Sequence, residues 1–183
     1  MLVYTAWCLI IDMRVSVFLL LVFSSLPSFA AAGVDAPLTA SIRIENYGLY
    51  QLLDKSDQSF NPESTAGYES VINTRFIEKT DVIALKKNRV FGFNYAINDP
   101  NTAEEWVVVD IKISHPLTTN FLGHQSTGFS RQSAARLKAD GRYHNGAFYV
   151  FTEDYEMVPG LWVVSVIYRG EFVARQSFSI TAD

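Results

Sequence analysis

The chain has 183 residues, of which 49% are hydrophobic and 19% charged, and its net charge at pH 7 is −4. This composition is too rich in apolar side chains for a disordered chain, and the length suffices for one domain with a sizeable core. We expect no nucleic-acid partner, because phosphate binding usually requires a clear excess of Lys and Arg on one face.

Residues 13–32 have the three parts of a secretory signal peptide. Arg14 supplies the positive charge, residues 15–23 form an apolar run, and small residues allow cleavage after Ala30 or after Ala32. The apolar run is about half of the roughly 20 residues that cross a bilayer, so we expect no permanent membrane anchor. The protein is therefore predicted to be periplasmic or secreted.

Residues 1–12 fit this signal peptide badly, because they are mostly apolar and carry no positive charge. We therefore expect translation to start at Met13. Residues 1–32 are then an extension with a cleavable signal peptide, and residues 33–183 form a single domain. The one cysteine, Cys8, lies in the removed segment, so the mature domain is expected to lack a disulfide and a thiol nucleophile.

From Leu38 onward, apolar and polar residues alternate between recurring turn residues, which is typical of short antiparallel strands. The alternation shifts phase at Gly48, and such a shift within a strand predicts a bulge or bend. Asn88 is expected to adopt a left-handed conformation in a turn. The strand after this turn has an aromatic-rich inner face made of Phe91, Phe93, Tyr95 and Ile97.

Arg169 and Gly170 join the last two predicted strands as a tight hairpin turn. The whole pattern gives seven or eight strands, which favours an immunoglobulin-like antiparallel β-sandwich, with a small β-barrel as the alternative. The predicted strands cover residues 38–53, 71–77, 82–85, 90–97, 107–114, 147–151, 161–168 and 171–181.

The turn before the strand at 161–168 supports the sandwich. Pro159 and Gly160 form a tight turn, and Trp162 follows two positions before Val164. Immunoglobulin-type sandwiches enter a late strand in a similar way. Trp162 would then be the corner aromatic in the core, and Val164 would stand where such domains usually have a cysteine.

Residues 116–146 depart from the alternation and are rich in polar residues. A loop of this length is unusual in a compact domain, which suggests that it contains a further element. Residues 125–130 could form an edge strand, and residues 131–138 could form two helical turns. The acidic loop at 54–69 could pair with this stretch, or the two loops could steer a partner. The cationic side chains of a candidate binding loop are Arg131, Arg136, Lys138 and Arg142.

Five stretches, in their order and spacing, resemble a bacterial family known as domain of unknown function 3859. The resemblance extends over residues 42–180, and its specificity lies in the order of the motifs. It implies this fold, export and a bacterial origin, and because the family has no assigned activity, no catalytic residue is carried over. The stretches are ENYGLY (45–50), RVFGFNY (89–95), ISHP (113–116), YEMVPGLW (155–162) and SFSI (177–180).

No motif for catalysis or metal binding stands out. His115, His124 and His144 lack the short spacing of a zinc site, and no Gly-x-Ser-x-Gly nucleophile elbow is present. Glu153 and Glu156 could supply glycoside acid–base chemistry, although a solvated turn is the favoured interpretation. We expect no metal and no cofactor.

Trp106 and Tyr143 are the candidate exposed aromatic residues, and a carbohydrate or peptide could stack on them. The favoured function is a non-enzymatic binding or protein-interaction module whose loops present the site. Its partner would be a protein or glycan of the cell envelope. The alternatives are an envelope glycan or peptide hydrolase, a carbohydrate-binding module, and an accessory domain whose sheet edge pairs with a neighbour.

Overall fold

The computed structural model describes residues 39–62 and 64–182, so the predicted signal peptide lies outside the described residues. Within these ranges, no helix has the length and apolar character needed to cross a membrane. A 3₁₀ turn covers Asp154–Glu156. The strands are β1 (Ser41–Lys55), β2 (Ser59–Phe60), β3 (Tyr68–Glu69), β4 (Ile72–Glu78), β5 (Val82–Ala84), β6 (Val90–Asn98), β7 (Trp106–Thr119), β8 (Gln125–Leu137), β9 (Tyr143–Val150), β10 (Gly160–Tyr168) and β11 (Glu171–Thr181).

Nine of the described strands form one sheet in the order β4-β1-β6-β9-β8-β7-β10-β11-β5, and β2 pairs with β3 separately. Neighbours are antiparallel except for the pair of β11 with β5. The sheet curls until β1 contacts β11. It thereby forms the two leaves of a sandwich, with β4-β1-β6-β9 in one leaf and β8-β7-β10-β11-β5 in the other.

The core lies between the leaves and is built by alternation, as predicted for β6 and β7. Phe91, Phe93 and Tyr95 on β6 are fully buried, and so is Ile111 on β7. Trp162 is 0% exposed, and its Nε1–H donates a hydrogen bond to the Val158 carbonyl oxygen at 3.1 Å. The predicted corner tryptophan is therefore a core residue whose polar atom is satisfied inside the turn.

The predicted irregularity in β1 is present. Against β6 the register skips Glu45, because Ile44 pairs with Tyr95 and Asn46 with Asn94. Gly48 has a φ of 137°, and a Cβ there would collide with the carbonyl oxygen of Glu78 on β4. The extra residue thus falls before the glycine, and the glycine itself allows the close approach of β4.

Two predicted turns are confirmed by backbone angles. Asn88 has a φ of 63°, and in the turn between β10 and β11 Arg169 and Gly170 have φ values of 52° and 81°. Left-handed angles at both central residues are typical of the two-residue hairpin. Local turn chemistry therefore places β10 and β11 side by side.

The interpretation of residues 116–146 as a long loop is wrong, and so are the two helical turns at 131–138. β7 continues into this stretch, and β8 occupies its centre. In β8 the inward positions, opposite the buried residues of β7, hold Phe129, Arg131 and Ser133 as well as an alanine. The alternative of a strand at 125–130 is correct, but this strand is β8, which continues to Leu137 and lies between β9 and β7 instead of at an edge. Hydrophobic alternation is weak in its second half because this face is partly polar.

Candidate functional site

The two leaves separate where β8 and β9 stop pairing. These strands are joined only at the Arg136–His144 and Leu137–Tyr143 pairs within the described residues. Residues 64–69, which we call the plug, border this opening together with Phe129 on β8 and Tyr149 on β9, whose ring centroids lie 6.2 Å apart. The backbone of the plug is deeply placed, because residues 64–67 are all buried.

Side-chain hydrogen bonds hold the plug in this opening. Thr65 Oγ1 lies 2.7 Å from His115 Nε2, and the Tyr155 hydroxyl donates to the Ala66 carbonyl oxygen at 2.7 Å. Tyr68 stacks on Phe121 with ring centroids 5.3 Å apart. The plug is therefore attached by contacts from three separate parts of the chain.

His115 belongs to the core rather than to a loop. Its Nδ1 lies 2.7 Å from the Pro116 carbonyl oxygen, and its ring stacks on Trp162 with centroids 4.6 Å apart. Burial lowers the pKa of His115, against the opposing effect of the Pro116 carbonyl. The neutral ring with hydrogen on Nδ1 satisfies both contacts, with Nε2 accepting from the Thr65 hydroxyl.

Glu156 is 1% exposed, so the interpretation of the 153–156 carboxylates as a solvated turn is wrong for this residue. Its Oε1 accepts from the Tyr149 hydroxyl at 2.6 Å. Its Oε2 accepts from the Thr152 and Glu153 amides at 2.7 and 2.6 Å, and from the Thr152 hydroxyl at 2.9 Å. Burial and the Glu156 carboxylate raise the pKa of Tyr149 well above its usual value.

These contacts give Glu156 a structural role. Both carboxylate oxygens already accept hydrogen bonds, so neither is free to exchange a proton with a substrate. The 3₁₀ turn at Asp154–Glu156 folds the chain back after β9 and directs this side chain inward. Glycoside chemistry by Glu153 and Glu156 as a pair gains no support from this arrangement.

A cleft of about 80 Å³ remains between the plug, β8 and β9. Small-molecule sites usually measure roughly 300–1,000 Å³, so the cleft fits one small polar group and not a whole cofactor. Its walls combine charged and aromatic side chains. The principal ones are Lys55, Tyr68, Glu69, Phe129, Arg131, Phe148, Tyr149 and Glu156.

Three polar groups in and beside this cleft lack a partner among the described residues. Glu69 Oε1 and the Tyr95 hydroxyl are buried without a hydrogen bond. The Arg131 guanidinium neither donates a hydrogen bond nor forms an ion pair in the part of the chain that the structure describes. Burial lowers the pKa of Arg131, and the nearby Glu69 and Tyr95 oppose this shift. Native proteins rarely leave buried polar groups unpaired, so this cluster is chemically distinctive.

The remaining cationic residues of the predicted binding loop do not join Arg131. Arg136 faces outward, where it pairs with Glu105 at 3.2 Å and covers the Trp106 ring at 5.1 Å. Arg142 pairs with Asp140 at 2.9 Å, and Lys138 is exposed. The four side chains therefore do not form one cationic surface.

Of the two candidate exposed aromatic residues, Trp106 is confirmed as exposed, at 49%, whereas exposure of Tyr143 is wrong, since it is 1% exposed. Tyr143 pairs with Ile97 on the inner face of β9, and its hydroxyl donates to the Glu104 carbonyl oxygen at 2.8 Å. Burial of a tyrosine with a satisfied hydroxyl is favourable. Tyr143 is therefore unable to serve as a stacking platform.

Glu69 and Tyr95 were not predicted as site residues, and Arg131 was predicted on a loop although it lies on an inward position of β8. A usable signal was present in β8, because Arg131 alternates with Phe129 and thus falls on the inward phase. In the described ranges, no group of three side chains is arranged to hold a metal ion.

Comparisons with known proteins support the fold and give the family. A solved immunoglobulin-like protein from Pseudomonas aeruginosa is 19% identical, with a TM-score of 0.55, covering 80% of this chain and 99% of that chain. The predicted immunoglobulin-like class is thereby confirmed. An alkylpurine DNA glycosylase from Pseudomonas fluorescens, solved bound to DNA with an abasic site analog, is 21% identical. The match covers 56% of this chain and 28% of that chain, and its TM-score of 0.38 is too low for any inference.

No curated protein sequence matches the chain. The profile of one family matches residues 38–180, which is nearly all of the described domain, and its description is a domain of unknown function, DUF3859. This agrees with the resemblance carried by the five sequence motifs. The chain belongs to the DUF3859 family.

Proposed function

We propose that the domain is a non-enzymatic binding module of the cell envelope and that the cleft between β8 and β9 is its ligand site. The observation that carries this proposal is the unpartnered cluster of Arg131, Glu69 and Tyr95. A buried polar group without a partner costs about 1–3 kcal/mol. A ligand that supplies the missing partners would recover part of this free energy on binding.

Binding is favoured over catalysis because the best acid–base groups near the cleft are occupied. Glu156 accepts four hydrogen bonds, and the Thr65 hydroxyl that contacts His115 belongs to a residue only 1% exposed. A general acid or base must reach the proton that it transfers. The groups that remain available, the Arg131 guanidinium and the Glu69 oxygen, are suited to recognition.

A ligand titration tests this proposal. Isotope-labelled protein of residues 33–183 is mixed with low-molecular-weight fractions of a bacterial envelope extract, and amide chemical shifts are recorded. We expect shifts confined to the plug and the adjoining parts of β8 and β9. They should vanish in Arg131→Met and persist in Arg136→Met, the matched control on the outward face of the same strand. Shifts elsewhere, or shifts that survive Arg131→Met, would contradict the proposal.

A hydrolase is the second candidate, and one contact favours it. Thr65 Oγ1, His115 Nε2 and the Pro116 carbonyl oxygen are arranged as a nucleophile, a base and an orienting acceptor would be. In such a reaction the Thr65 oxygen would bond to the substrate carbonyl carbon, and its proton would pass through His115 to the leaving group.

Thr65→Val separates the two functions, because it removes the hydroxyl and preserves the shape. A hydrolase of this kind loses turnover of the extract's peptides in this variant. If the domain is a binding module, the ligand recovered from the parent protein and from Thr65→Val has an unchanged mass. The variant then only weakens the attachment of the plug and lowers the free energy of unfolding by about 1–2 kcal/mol.

We also propose that the protein is exported, on the strength of the signal-peptide pattern at 13–32. Intact mass spectrometry of the protein from a bacterial periplasmic fraction tests this. The expected N-terminus is Ala31 or Gly33, which corresponds to cleavage after Ala30 or Ala32. An uncut chain found in the cytoplasm would contradict export.

A further inference from the structure

We propose that the cleft binds an α-carboxylate with a neighbouring N–H, as found at the C-terminus of a peptide and in a free amino acid. Arg131 would hold the carboxylate, and Glu69 would accept the hydrogen bond from the N–H, since both side chains line the cleft. This inference rests on the proposed function of the cleft as a ligand site and specifies the chemical class of its ligand.

The carboxylate of the ligand is inferred from the N–H groups of Arg131, which donate no hydrogen bond within the described residues. A guanidinium presents five N–H groups in a planar fork that matches the two oxygens of a carboxylate. Lys55, at the wall of the same cleft, adds a second cationic group. An anionic oxygen pair is the ligand group that satisfies such a set.

The N–H of the ligand is inferred from an acceptor in the cleft lining that has no hydrogen bond. Glu69 Oε1 is buried without a partner and faces the same cleft as Arg131. Only a ligand that also donates can satisfy it. A phosphate diester has no donor, and the second negative charge of a phosphate monoester would lie close to the carboxylates of Glu69 and Glu156. An amino-acid unit carries a donor one carbon away from a singly charged carboxylate.

The volume of the cleft restricts the ligand further. At about 80 Å³ it is smaller than the roughly 150 Å³ cavity that holds benzene in an engineered protein. One terminal residue with a small side chain therefore fits, with any preceding residues outside. Phe129 and Phe148 provide apolar walls for a methyl-sized side chain. We expect alanine to be accepted and large aromatic residues to be excluded.

Such a ligand would also connect the plug to β8. Glu69 lies at the end of the plug, whereas Arg131 belongs to β8. A molecule bonded to both residues bridges elements that otherwise meet through side-chain contacts. Amide hydrogen exchange within residues 64–69 is therefore expected to slow when the ligand binds.

The test is a titration with defined probes followed by amide chemical shifts. N-acetyl-Ala-Ala with a free carboxylate is expected to shift residues around the cleft, and its C-terminal carboxamide should bind at least tenfold more weakly. Acetate, which lacks the N–H, should also bind more weakly. Free alanine distinguishes a peptide C-terminus from a free amino acid as the source of the ligand. If a free amino acid is the ligand, alanine should bind at least as tightly as the dipeptide.

Two variants and one control keep the test sharp. Arg131→Met should abolish the shifts, Glu69→Gln should weaken binding of the dipeptide more than binding of acetate, and Arg136→Met should change neither. Spectra away from the cleft must match the parent protein, which shows that each variant is folded.

The outcomes separate this inference from the proposed function. Equal binding of the carboxylate and carboxamide probes would overturn the inference. If no probe changes the amide chemical shifts around the cleft, the inference is also overturned. If the envelope extract still changes these chemical shifts, the proposed function remains valid with a different ligand. If the extract gives no cleft shifts either, both proposals fail.

Discussion

Arg131 occupies a position where a charged side chain is unfavourable for folding. It projects from the inward phase of β8, opposite Ile111 on β7, and has neither a hydrogen bond nor an ion pair among the described residues. Arg131 is partly buried and is attracted by Glu69 without forming an ion pair. An apolar side chain of similar length is often better tolerated than a charge in such a place. Residues that bind ligands often lower the stability of the folded protein.

Arg131→Met is therefore expected to raise the free energy of unfolding by about 1–2 kcal/mol. Urea denaturation monitored by circular dichroism measures this change. Arg136→Met is the control, because it removes an exposed ion pair and an exposed contact with Trp106 and should change stability by less than about 1 kcal/mol. A loss of stability in Arg131→Met would mean that the guanidinium supports the fold instead of a ligand.

His115 makes stability depend on pH. Burial lowers the pKa of His115 in the folded protein, whereas an unfolded chain has a histidine pKa of about 6.5. The unfolded state therefore binds more protons between these two values, and stability falls as the pH decreases below about 6.5. In His115→Gln this part of the fall should disappear, which urea denaturation from pH 8 to pH 5 would reveal. Identical slopes in both proteins would contradict the prediction.

At this scale, sequence reasoning succeeded where the cause is local. Asn88 was predicted in the left-handed region and Trp162 in the core, and each depends on a turn a few residues long. Tyr143 and Glu156 were assigned to the surface because their burial depends on distant partners. Tyr143 is covered through pairing with β6, and the Glu156 carboxylate accepts hydrogen bonds from residues before the 3₁₀ turn.

Among the strands, β6 and β8 illustrate opposite cases. β6 has an unbroken apolar inner face, so its position and orientation follow from alternation alone. β8 has a mixed inner face, because part of it lines the polar cleft. Alternation reports burial against apolar neighbours, and it therefore fails for a strand that helps to form a polar site.

Gly92 in β6 is required by the approach of β9. Its φ is 150°, and a Cβ there would collide with the carbonyl oxygen of Ala147 and lie 2.8 Å from Phe148 Cα. Gly92→Ala is expected to cost about 3 kcal/mol or more. Gly123→Ala is the matched control, since its φ of 78° is also left-handed but the added Cβ meets open space; its cost should be about 1 kcal/mol. Equal losses in thermal unfolding would exclude the steric explanation.

For the whole molecule, the class of fold was accessible from sequence, whereas the cleft was not. Alternating strands separated by turns predicted the sandwich, and the family resemblance agreed with it. The cleft arises because β8 and β9 pair over only two residue pairs in the described part of the chain, and the plug enters the opening. Strand order and pairing length are properties of the assembled sheet, so periodicity within one strand does not reveal them.

Trp162 reports on whether the two leaves unfold together. It belongs to β10 in one leaf and contacts Phe91 and Tyr149 of the other, at ring-centroid distances of 5.8 and 4.8 Å. In residues 33–183, Trp106→Phe leaves Trp162 as the sole tryptophan. Because the leaves share one core, we expect its fluorescence and the far-ultraviolet circular dichroism to change at the same urea concentration. An earlier fluorescence transition would mean that the leaves separate before their strands unfold.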